Sequence, residues 1–136
     1  MVSMRIKYDG NKGCTLTHED SGAVIQTSAP KDIGGDGNAF SPTDLVGAAL
    51  ASCILTTIAM FAERNNIDLA GSSAHVTKEM TTDAPRRIGR LVCTVTVPGD
   101  RVPEGIRERI EKIAHTCPVH KSLHPEIDAP ITFIYE

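Results

Sequence analysis

Between Asp44 and Glu63 the chain carries no charged residue. An uncharged run of that length has to lie in a core, against another chain or in a membrane. The residues ahead of it set its conformation. Ser41-Pro42-Thr43-Asp44 reads as a helix start: Ser41 caps, Pro42 suits the first helical position, and Asp44 reaches back to close a capping box. Composition then selects among the environments. Gly47, the alanines, Ser52, Thr56 and Thr57 make the run too weakly hydrophobic for a membrane span, and no second span follows. The segment is therefore expected to be a long helix buried in a core or a dimer, with no membrane partner.

At 136 residues the chain fits one domain, 1–136. Trp is absent and aromatics make up 4%, so the core relies on Ala, Val, Ile and Leu and gains from burial against a second copy. A net charge of −3 without a run of Lys or Arg excludes phosphate neutralisation as a main activity, and no nucleic-acid partner is expected. The N-terminus lacks the apolar run of a secretory signal, which predicts a cytoplasmic protein. Cys14, Cys53, Cys93 and Cys117 are irregularly spaced in a chain too long to need staples, so reduced thiols are expected.

Short strand-like runs at 5–8, 14–18 and 23–28, separated by turn clusters, predict an antiparallel meander. The loop at 32–38 lacks the Gly-Lys-Ser/Thr ending of a phosphate loop and is given a structural role. Runs at 74–79 and 89–97 predict a second strand pair. Leu91, Cys93, Val95 and Val97 share one face of it, so Cys93 reads as a packed small hydrophobe. Ile106, Ile110, Ile113, Ala114 and Cys117 keep helical spacing opposite Arg107, Glu108, Glu111 and Lys112, which predicts an amphipathic helix. Pro118 breaks or restarts it, and a last strand follows at 131–135.

Two cysteines stand out chemically. Cys53 lies too far along the uncharged helix for the helix dipole to activate it, so reactivity there requires a side-chain cation. The competing reading is a buried cysteine packed among Ala49, Leu50 and Ile54. Cys117 opens Cys117-Pro118-Val119-His120-Lys121-Ser122-Leu123, and if Pro118 starts a new helix the thiol occupies its cap, where backbone N–H groups favour a thiolate. His115, Cys117, His120 and His124 would suit zinc by type, but there is no Cys-x-x-Cys pair and Pro118 disturbs a regular ligand face. No metal is expected. His18 and His75 read as strand-surface residues.

The stretches Phe40-Ser41-Pro42-Thr43-Asp44-Leu45-Val46-Gly47-Ala48-Ala49-Leu50-Ala51-Ser52-Cys53 and Ala114-His115-Thr116-Cys117-Pro118-Val119-His120-Lys121-Ser122-Leu123 together resemble the family of osmotically inducible protein C and organic hydroperoxide resistance proteins (OsmC/Ohr), in a divergent OsmC-like branch. The resemblance implies an α+β fold: antiparallel sheets packed around a long buried central helix, in an intertwined homodimer. It also implies a thiol peroxidase for organic hydroperoxides, with Cys53 oxidised to a sulfenic acid, Cys117 resolving it as a disulfide, and an external dithiol of the lipoyl type as reductant. No bound cofactor is implied.

The chain departs from the hydroperoxidase pattern in two places. Asp9-Gly10-Asn11-Lys12-Gly13 stands where the family has an early Gly-Arg-acidic-Gly turn, and Pro42 is followed by Thr43, with Asp44 only then supplying a carboxylate. Arg86 and Arg87, with Asp44, are accordingly the candidate thiolate-activating residues, the competing reading for the arginines being solvated charges at a hairpin turn. The rival function is a non-enzymatic OsmC-like stress or ligand-binding protein.

Overall fold

The computed structural model describes residues 1–136 and divides into two compact units, 1–46 and 47–136. In the first, β1 (Met4–Gly10), β2 (Gly13–His18) and β3 (Val24–Ser28) form an antiparallel meander in that order. Its two hairpins close where the sequence places turn residues. Asn11 and Lys12 take left-handed φ values of 52° and 61° between β1 and β2, and Gly22 takes 76° between β2 and β3. Gly35 has a different reason to be glycine, since a Cβ there would stand 1.8 Å from the Ala29 carbonyl oxygen. The loop role expected for 32–38 is thus a close backbone approach.

One face of this meander is apolar and uncovered. Ile6 pairs with Leu16 and Leu16 with Ile25 across the strands, and Met4 and Ile25 are 65% and 51% exposed. These residues wall a shallow groove together with Ala23.

Helix α1 (Pro42–Arg64) starts as the sequence predicts. The Ser41 N–H donates to Asp44 Oδ2 at 2.9 Å and the Asp44 N–H to Ser41 Oγ at 3.1 Å, a reciprocal capping box. The helix buries one stripe, Gly47, Leu50, Ala51, Ile54, Ile58 and Ala62. Ala49, Ser52, Thr56 and Met60 on the other side are exposed in the single chain. By length and hydropathy alone the helix could cross a membrane, but its buried stripe is that of a core helix.

In the second unit, β4 (Ser73–Met80), β5 (Ile88–Val97) and β6 (Ile131–Tyr135) form a sheet with β5 in the middle. Ile88, Leu91, Cys93, Val95 and Val97 of β5 are buried, and a Cβ on Gly47 would lie 3.5 Å from Leu91 Cδ2, so α1 approaches the sheet closely there. The expected antiparallel pairing holds for β4 with β5, whereas β6 runs parallel to β5, so this sheet is mixed. The reason is the connection. Between β5 and β6 the chain passes through α2 (Glu104–Ala114) and α3 (Pro118–Ser122), a crossover long enough to return the strand in its original direction. Helix α2 turns Ile110 and Ala114 inward and exposes Glu104, Glu108, Arg109 and Lys112, while Arg107 and Glu111 are half-buried against Tyr135.

Candidate active site

Cys53 sits at mid-length on α1, half-buried, three residues beyond the fully buried Leu50. Cys117 is fully buried at the point where the chain leaves α2 and enters α3. Pro118 does restart the helix. Cys117 is the N-cap residue of α3, and its Sγ accepts a hydrogen bond from the His120 N–H at 3.2 Å. The His120 ring is anchored in turn, its Nε2 lying 3.3 Å from the Ala129 carbonyl oxygen just before β6.

The two cysteines are neighbours, close enough for Cys53 to influence the Cys117 thiol. All four cysteines are reduced. Burial pushes the Cys117 thiol above its ordinary value. Its two N–H contacts, from His120 and Val119, pull the other way, and neighbouring Cys53 adds to the upward push. The cap alone would favour a thiolate, but desolvation outweighs it. Cys117 is therefore held as a thiol whose S–H can point at the Cys53 sulfur. Cys93, fully buried in β5, has its thiol raised by burial first and by Cys117 second, so it lies near the pair while filling a core position.

Of the nominated activating residues, Asp44 and Arg87 make bonds of their own. Asp44 closes the capping box at the start of α1. Arg87 pairs with Glu126 at 3.3 Å and donates to the Ile88 carbonyl oxygen at 3.1 Å. Arg86 is exposed in the β4–β5 connection. Arg90, which the sequence reading passed over, holds Asp128 at 2.8 Å, and the Leu91 N–H donates to the Asp128 carbonyl oxygen at 2.8 Å. Arg87 and Arg90 thus strap the segment after α3 to the edge of β5, which fixes the stretch that carries Ala129 and anchors His120. No local signal marks the Arg90–Asp128 pair, because its members are distant in sequence.

The histidines are bonded to backbone rather than gathered round a point. His115 Nδ1 lies 3.0 Å from the Glu111 carbonyl oxygen, and the His115 and His120 rings meet edge to face at 5.5 Å. No three His, Cys, Asp or Glu side chains are placed to share a metal ion. An open groove of about 330 Å³ runs beside the C-terminal half of α1, walled by Leu55, Thr56, Ala59, Glu63 and the 68–72 loop, and neither cysteine of the pair lines it.

A mixed α+β chain with a reduced cysteine pair, one thiol on the central helix and one at the cap of a short helix, defines a thiol-bearing fold of a recognisable class. The chain belongs to the OsmC-like protein family, whose model matches residues 35–131. It is similar in structure to an osmotic stress induced and detoxification response protein from Psychrobacter arcticus 273-4. That likeness has 38% identity and a TM-score of 0.92, and covers 98% of this chain and 96% of that one. An organic hydroperoxide resistance protein from Legionella pneumophila shares the fold at 18% identity and a TM-score of 0.77, over 98% of this chain and 96% of that one. One from Elizabethkingia anophelis shares it at 14% identity and a TM-score of 0.79, over 100% and 96%. No curated protein matches the sequence significantly.

The two raised thiols carry a stability consequence. A thiol whose folded pKa is raised contributes stability that is fully present below the unfolded value and is lost as pH climbs through the folded one. With ordinary thiols at 9.0, the reduced protein should lose stability above about pH 9, and Cys93→Ala should flatten that alkaline slope. Urea midpoints across an alkaline series measure it. A slope unchanged by the substitution would contradict the burial of an ionisable thiol at that position.

Proposed function

We propose that the protein is a thiol peroxidase that reduces small organic hydroperoxides through Cys53 and Cys117. The observation that carries this reading is the neighbouring pair itself, a half-buried cysteine on α1 beside a fully buried one whose thiol burial pushes up. In the first step the Cys53 sulfur, as thiolate, attacks the terminal peroxide oxygen. The O–O bond breaks, the alkoxide leaves with a proton as an alcohol, and Cys53 is oxidised to the sulfenic acid. The Cys117 sulfur then attacks the Cys53 sulfur, the S–O bond breaks, water leaves, and a disulfide forms. An external dithiol of the lipoyl type restores both thiols by two exchanges and is itself oxidised to its cyclic disulfide. Family membership and the hydroperoxide resistance proteins that share the fold support the substrate class.

The rival reading, a non-enzymatic OsmC-like stress or ligand-binding protein, draws on one observation. Arg87 is occupied by Glu126 and the Ile88 carbonyl, which leaves its charge committed to that loop. Consumption of an organic hydroperoxide with a lipoyl dithiol as reductant separates the two. The peroxidase reading expects turnover that Cys53→Ser reduces to the buffer rate. Consumption at the buffer rate by the unaltered protein would favour the rival.

We also propose that the working form is a homodimer in the cytoplasm. The uncovered face of Met4, Ile6, Leu16 and Ile25, with the uncharged exposed side of α1, supports a second copy as the occupant. Light scattering should return twice the 14.6 kDa chain mass, and Ile6→Lys should shift it toward one chain. A one-chain mass for the unaltered protein would overturn the dimer.

A further inference from the structure

Thr56 and Thr57 are adjacent on α1 and use the same side chain in opposite ways. A threonine in a helix commonly turns its hydroxyl back onto a carbonyl of the preceding turn. Exposed Thr56 does this, its Oγ1 donating to the carbonyl oxygens of Ser52 at 3.2 Å and Cys53 at 3.1 Å. Thr57, half-buried and one turn beyond Cys53, instead places its Oγ1 4.0 Å from Cys53 Sγ. The i, i+4 spacing puts the two side chains on one helix face, and Thr56 has already taken the Cys53 carbonyl.

We propose that Thr57 is the positioning residue for Cys53, its hydroxyl donating to the Cys53 sulfur once that sulfur is ionised. The inference rests on Cys53 being the reactive thiol and adds the group that holds it. At 4.0 Å the contact lies at the outer reach of a sulfur hydrogen bond in the neutral pair. Ionisation turns the sulfur into a charged acceptor, and bonds to charged acceptors are shorter and about twice as strong. Arg87 is committed to Glu126, and Cys117, the titratable group facing Cys53, is held as a thiol. A hydroxyl donor on the same helix needs no cation to be brought up and no loop to be ordered. From Cys53, the S–H of Cys117 and the O–H of Thr57 would then approach the same sulfur, leaving its remaining side for the peroxide.

Alkylation of Cys53 by iodoacetamide, followed by peptide mass across a pH series, tests this without peroxide or reductant. Thr57→Val keeps the branched shape and removes only the hydroxyl. It should move the alkylation profile to higher pH and slow the reaction below the midpoint about tenfold. Thr57→Ser, which restores the hydroxyl, should follow the unaltered protein. Should Thr57→Val fail to fold, Thr57→Ala, which inserts nothing, is expected to give the same shift. A profile for the hydroxyl-free variant that overlays the unaltered one overturns the proposal. So does a Thr57→Ser profile displaced as far as the Thr57→Val one, because the γ-methyl group would then be what matters. Absence of peroxidase turnover leaves the alkylation result unaffected, so failure of the functional reading and failure of the Thr57 assignment are distinguishable.

Discussion

The burial of one stripe of α1 is the constraint on which the site depends. Leu50, Ile54 and Ile58 are wholly removed from solvent, each such burial being worth about 1.5–3 kcal/mol before the entropy of ordering is set against it. Gly47 lets the helix come within van der Waals reach of Leu91 and Val76 on the sheet. Once that stripe is fixed, the rotation of the helix is fixed, and Cys53 has no choice but to stand at the margin of the buried face. Thr57 follows one turn later on the same side.

The partner thiol is placed by unrelated means. Pro118 cannot donate a backbone hydrogen bond, so the chain after α2 restarts rather than continues, and Cys117 becomes a cap. His120 then ties α3 to Ala129, and Arg87 and Arg90 tie the following segment to β5. The outcome is an asymmetric pair. Cys53 is half-buried and Cys117 is desolvated, with its proton held by burial more strongly than its cap contacts can release it. Two chemically identical residues are made unequal by environment alone.

Much of this was legible in the residues. The capping box, the meander, the strand pair and the amphipathic helix follow from local pattern, whereas proline left a break or a restart open at Pro118 and the folded chain takes the restart. The parallel return of β6 was not visible, since strand direction is set by a crossover and not by the strand's own residues. Arg87 illustrates the same limit. Its charge was evident, but its partner Glu126 lies across a long connection, and only the folded chain shows that the ion pair straps a loop. Thr57 is the reverse case. Its spacing from Cys53 was there to be read, and its significance emerges only from the contrast with Thr56, whose hydroxyl is spent on the backbone.

The central claim is that Cys53 and Cys117 act as one redox pair while Cys93, close by, remains part of the core. Peptide mapping of the reduced protein after one equivalent of an organic hydroperoxide tests this most directly. The account predicts a Cys53–Cys117 disulfide, with Cys14 and Cys93 recovered as free thiols. Recovery of Cys117 joined to Cys93, or of Cys53 oxidised with Cys117 still free, would contradict it.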